Sequence, residues 1–226
     1  MSQLTLTQIG RKRKRRSEKT PYSRTRKYRI PQYPTSRCKI VKLRYASTIT
    51  LDPGAGTLVY HDYLANGMYD PDVTSTGHQP MGFDQWMAFY DHFKVIGSKC
   101  SVNFLNSGQT IATSNAICGI HLASSPGEVS AQTSESVREF PNSKWKTISY
   151  AQSRTNVVRT FSHKNYFCRK DGDKYHGSVS ADPADAAYFE VWAVAADGSS
   201  QAEAIVCNVL IEYVAELSEP KELIQS

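Results

Sequence analysis

The segment "KIVKLRYASTITL" (residues 39–51) alternates almost strictly. Val41, Leu43, Tyr45, Ile49 and Leu51 share one parity, while Lys42, Arg44, Thr48 and Thr50 share the other. Period-two alternation over this length describes a half-buried β-strand, not a helix, whose apolar positions recur every three to four residues. Six further segments bounded by Gly, Pro, Ser or Asn carry strand character: 92–105, 116–123, 144–150, 155–163, 187–195 and 204–217. Within 92–105 the phase slips, with Phe93 and Val95 on one parity and Cys100, Val102 and Phe104 on the other, which predicts a β-bulge near Gly97. The run "AYFEVWAVA" (187–195) is apolar apart from Glu190 and predicts a central strand covered on both faces.

One helix is expected in "GFDQWMAFYDHF", where Phe83, Trp86, Met87 and Tyr90 recur at i, i+3, i+4 and i+7. It reads as a short element closing one end of the sheets. Phe83, Trp86, Tyr90, Phe104 and Trp192 are expected in the core, with Trp86 as its anchor. Seven strands, long irregular connections and one short helix predict an all-β fold, a single jelly-roll antiparallel sandwich.

The N-terminal segment breaks this pattern. From Gly10 to about Ser36 the chain is rich in Arg and Lys, contains Pro21, Pro31 and Pro34, and has almost no aliphatic residues. Too little apolar surface is available to offset the entropy of ordering, so a disordered arm is expected. Residues 1–44 hold 15 Lys and Arg against one acid, Glu18, a net +14. The remaining 12 bases and 20 acids leave the rest of the chain at −8, and the whole at +6. A basic end on an acidic body points to a polyanion bound at one place. Arg11, Lys12, Arg13, Lys14, Arg15 and Arg16, then Lys19, Arg24, Arg26, Lys27 and Arg29, form a bipartite cluster suited both to phosphates and to nuclear import receptors. Tyr22 and Tyr28 lie among these cations and Tyr33 just beyond them, and all three offer rings for base stacking. Such an arm has no scaffold to aim side chains at base edges, so binding without sequence preference is expected, which favours packaging over regulation.

Other chemistries find little support. The five cysteines are widely spaced with no C-x-x-C, so neither a disulfide framework nor a zinc site is signalled and a reducing compartment is expected. The N-terminus has no apolar run of the kind a secretory signal needs, and the longest apolar stretch is too short to span a bilayer, so no membrane insertion is expected. Phosphate-cradling, nucleophile-elbow, zincin and dinucleotide motifs are missing from the sequence, and the protein is read as no enzyme, with no cofactor and no metal. His61, Asp62, Asp70, Asp72 and His78, between the first strand and the helix, are the nearest approach to a metal or acid/base cluster; they read as polar side chains on a solvated loop. His92, His121 and His163 read as hydrogen-bonded structural histidines within strands.

The order of basic N-terminus, extended strand, "GHQPMGFDQWMAFYDHFKVIGSKCSVNF" and short β segments resembles, over nearly the full length, the capsid proteins of small circular single-stranded DNA viruses of the circovirus and circo-like type. The stretch His78 to Phe104 is the most specific part. "MSQLTLTQIG" precedes the cations here, whereas circovirus capsids typically begin basic almost at once, so the resemblance is to the broader circo-like group. It implies a jelly-roll subunit that self-assembles into a small T=1 icosahedral shell in the virion. It also implies an arm directed inward onto a single-stranded DNA genome, nuclear import through that arm into the host nucleus, and a host cell-surface receptor. Lys42 and Arg44 would then add to a basic inner face. The expected organisation is an arm over 1–36, a jelly-roll capsid domain over 37–217 and a C-terminal tail over 218–226. The alternative is a cellular nuclear nucleic-acid-binding protein with a basic arm, which would form discrete small oligomers in place of closed shells.

Overall fold

The computed structural model describes residues 35–53, 57–106, 115–149, 154–196 and 204–222. Among the described residues nine antiparallel strands form two sheets. They are β1 (Cys38–Leu51), β2 (Val59–Leu64), β3 (Tyr90–Asn106), β4 (Ala116–Ala123), β5 (Ser143–Ile148), β6 (Arg154–Ser162), β7 (Gly177–Ser178), β8 (Tyr188–Ala195) and β9 (Ile205–Pro220). The first sheet runs β1-β9-β3-β6, with β7 beside β3; the second runs β2-β8-β4-β5. Strands adjacent in space but distant in sequence, such as β1 and β9, give the jelly-roll winding that the sequence predicts.

The alternation in β1 is realised as read. Val41, Leu43, Tyr45 and Leu51 are buried, Ile49 is half-buried, and Lys42, Arg44, Thr48 and Thr50 are exposed. The register of β3 against β9 shifts between Val95 and Gly97, where the phase slip in the sequence places a bulge. One extra residue there keeps apolar side chains inward on both sides of it. Phe93 and Val95 before the bulge and Cys100, Val102 and Phe104 after it all enter one core. Strand β8 is interior to its sheet and covered on both faces. Phe189, Val191 and Ala193 join the main core, whereas Trp192 and Val194 join a second cluster with Leu58, Ile117, Val129 and Val137. That second cluster is roofed by the connection 124–142, so the sandwich has an extra layer here that sequence periodicity does not reveal.

Five expectations need correction. There are two additional strands: β2, too short and too polar (VYHDYL) to announce itself, and the two-residue β7. The described residues hold three short α-helices, α1 (Phe83–Met87), α2 (Ser134–Glu139) and α3 (His163–Tyr166), and a 3₁₀ turn at Asp173–Tyr175, where one helix was expected. The helix α1 stops after Met87. Tyr90 is the first residue of β3, pairing with Pro220, so its i+7 spacing reflects burial from a strand. Trp86 is half-buried against the core, whereas Phe83, Tyr90, Phe104 and Trp192 are buried; a five-residue helix turns only Phe83 and Met87 fully inward. Finally, β9 continues to Pro220, with Ser218 paired to both Cys38 and His92, so residues 218–220 belong to the sheet and not to a tail.

Candidate nucleic-acid interface

The arm residues Arg11 to Arg29, with Tyr22, Tyr28 and Tyr33, lie outside the described residues. Lys42 and Arg44 do not, and both point outward from the first sheet. Across that face Arg44 stands opposite Glu212, and Glu212 opposite Lys99. Arg44 reaches Glu212 at 3.0 Å and Lys99 reaches it at 3.3 Å, so one carboxylate is shared by two cations. Lys99 first, and Arg44 with it, hold the Glu212 carboxyl below its ordinary range. Lys42 faces Val214 and has no ion-pair partner among the described residues. These side chains and Met81, itself 88% exposed, rim a groove of about 710 Å³. Two turns of the pleat further on, the row becomes uncharged: Thr48 donates to Asn208 at 3.1 Å, and Asn156 donates to Asn103 at 2.8 Å.

Chemically, at the groove three exposed cations against one shared carboxylate leave a local excess of positive charge beside hydrogen-bonding amides. This arrangement has the chemistry to attract phosphates and none to select among bases. Sequence reading identified Lys42 and Arg44 but missed Lys94 and Lys99. The bulge explains both the omission and the signal that could have found them. Lys94 and Lys99 have opposite parity, and the extra residue between them brings both to the outer face, opposite Glu216 and Glu212. Lys94 is also paired with Asp171.

The polar residues between β1 and α1 serve structure. His61 and Asp62 belong to β2 and not to a loop. His61 contacts Asp72 at 2.9 Å, and Asp72 accepts from the backbone and hydroxyl of Thr74. The Asp70 backbone donates to Asp182, and His78 stacks on Tyr45 with 4.7 Å between centroids. Among the described residues no group of three or more His, Cys, Asp or Glu is gathered to hold a metal ion. His92 in β3 and His121 in β4 approach Glu219 and Glu128, respectively. His163 opens α3 instead of lying in a strand, and meets the Lys170 carbonyl at 2.9 Å.

The fold is the antiparallel jelly roll of viral capsid proteins. Among solved structures, the chain is similar to the 60-mer BFDV capsid protein at 9% identity, covering 86% of this chain and all of that one, with a TM-score of 0.51. The decameric BFDV capsid protein aligns at 10% identity over 80% of this chain and 99% of that one, with a TM-score of 0.47. A chain from Desmodium yellow mottle tymovirus aligns at 12% identity over 89% and 99%, with a TM-score of 0.44. No family model and no curated protein matches the sequence.

Proposed function

We propose that this chain is the capsid subunit of a small single-stranded DNA virus of the circo-like kind. It assembles with copies of itself into a T=1 icosahedral shell and packages its genome by non-specific contacts through the basic arm. The observation that carries the reading is the partition of charge, +14 over residues 1–44 against −8 over the rest, on a jelly-roll body. A net-acidic body does not trap nucleic acid outside the shell, while the concentrated cations neutralise packaged phosphates. The likeness in fold to the 60-mer BFDV capsid protein, a circovirus protein, supports it. Lys42 and Arg44 add exposed cations on the first sheet to those that the arm carries in sequence. The bipartite cluster from Arg11 to Arg29 also serves host nuclear import receptors, so the protein occupies the host nucleus before it occupies the virion, and a host cell-surface receptor is its last partner.

DNA binding tests the reading directly. If about ten arm cations engage phosphates, the log–log salt dependence of affinity for single-stranded DNA has a slope of roughly −7. Removing residues 1–36 flattens that slope markedly. A truncated protein that keeps both slope and affinity contradicts the assignment of the arm.

A further inference from the structure

Away from the cationic face, a row of ionisable side chains crosses the outer surface of the second sheet. Asp62 of β2 lies directly opposite Glu190 of β8, and Glu190 directly opposite His121 of β4. Their strand neighbours Tyr63, Phe189, Val191, Ile120 and Leu122 point into the main core, so these three point the other way, beneath the connection 124–142. Glu190 is completely buried and His121 is 4% exposed. Three successive backbone N–H groups of the connection close over the two carboxylates. Gly127 donates to Asp62, while Glu128 (2.6 Å) and Val129 donate to Glu190. Asp62 Oδ1, Glu190 Oε2 and His121 Nδ1 are buried without a hydrogen-bond partner.

We propose that this carboxylate pair is a proton-controlled latch that holds the connection 124–142 onto the second sheet and loosens as the pair gives up its protons. Three N–H donors can satisfy one negative charge. A second charge on an adjacent strand would have to sit in an interior closed to water, beside two oxygens with no donor, and lifting the connection relieves it by admitting solvent. What would be uncovered is apolar: Val129 and Val137 of the connection leave Trp192, Ile117 and Val194. The latch stands on the folded subunit alone and does not depend on the capsid reading.

The charges around the pair set the direction. Burial raises both acids, Asp62 to about 6 and Glu190 to about 7, the latter with help from the Asp62 charge. His61 on β2 slightly opposes the shift of Asp62, and Tyr188 on β8 and Tyr166 on α3 stay neutral at these pH values. Glu128, held down to about 2 by hydrogen bonds with Ser124 and Ser125 that outweigh its desolvation, remains ionised throughout and anchors the start of the connection. His121 is lowered by burial and by Arg159 of β6, and so pulls the opposite way on acidification. Because the pair holds protons more tightly closed than open, its contribution is complete below about pH 4, the unfolded range, and is lost as pH rises through about 6 to 7.

Hydrogen exchange measured by mass spectrometry on the full chain, corrected for intrinsic rates, tests this. Between pH 5 and 7 protection of the 127–129 amides falls by about tenfold per pH unit for each proton retained by the closed form, then levels off. Amides of β9 supply the control and do not follow this profile. Glu190→Gln or Asp62→Asn alone reduces the fall in protection with rising pH, and the double variant abolishes it, leaving only the opposite trend that His121 contributes. If the double variant does not fold, the single variants and the wild-type profile decide. Protection independent of pH in the wild type overturns the proposal. So does a dependence that survives the carboxylate variants but vanishes in His121→Gln.

Discussion

Phe104 and Trp86 illustrate how differently two aromatic residues of one sequence segment are used. Phe104 is fully buried on β3, while Trp86, on a five-residue helix, is half-buried against the edge of the core. Truncation of Phe104 to Ala costs about 3 to 5 kcal/mol through lost burial and the cavity left behind. Trp86→Ala costs less, since part of its ring is already in water. Chemical denaturation of both variants checks the order, and a reversed order would show that α1 anchors the sandwich after all. Gly119 sets a steric limit of another kind. A Cβ there would lie 2.6 Å from the Lys144 carbonyl and 2.6 Å from the Trp192 ring. Overpacking of this sort costs about 1 to 3 kcal/mol, so Gly119→Ala should lower the denaturation midpoint although it adds only a methyl group. An unchanged midpoint would mean that Trp192 moves aside freely, which its fully buried position argues against.

At the scale of elements, the strands legible in the sequence were those long enough to show a period. β1 announced itself through five apolar residues on one parity, β3 through a phase slip that became a bulge, and β8 through a run apolar apart from Glu190. β2 was illegible because its six residues put His61 and Asp62 where a strand pattern wants apolar residues, and their partners, Asp72 and the Gly127 N–H, are fixed only by the fold. The helices α2 and α3 have six and four residues, too few for a 3.6-residue period to appear; only the Thr133 hydroxyl accepting from the Ser136 backbone marks the start of α2. The cationic face was half legible. Lys42 and Arg44 followed from one strand, whereas Lys99 required knowing that β9 stands between them and that the bulge corrects its parity. The shared position of Glu212 makes a testable point about this face. Glu212→Gln frees Arg44 and Lys99 for phosphates and should tighten binding of single-stranded DNA at low salt while leaving thermal stability nearly unchanged, because exposed ion pairs add little to folding. Fluorescence anisotropy across a salt series reads the effect, and weaker binding by the variant would place the nucleic acid elsewhere.

At the scale of the whole molecule, the jelly roll supplies its own apolar core within residues 41–217, while the arm has the composition of a segment that gains order only from a partner. Import and packaging should therefore be separable from folding. Residues 10–29 grafted onto an inert reporter should carry it into the nucleus, and the protein lacking 1–36 should stay cytoplasmic; nuclear accumulation of the truncated protein would remove the import role from the arm. Negative-stain electron microscopy of the purified full-length protein, alongside the protein lacking 1–36, tests the central claim most directly. Closed shells of uniform size from the full chain, filled with nucleic acid, and empty shells from the truncated chain are the predicted result, with salt added to screen residual repulsion between subunits. Discrete small oligomers from both proteins under every salt condition would contradict a capsid subunit and favour a cellular nuclear DNA-binding protein.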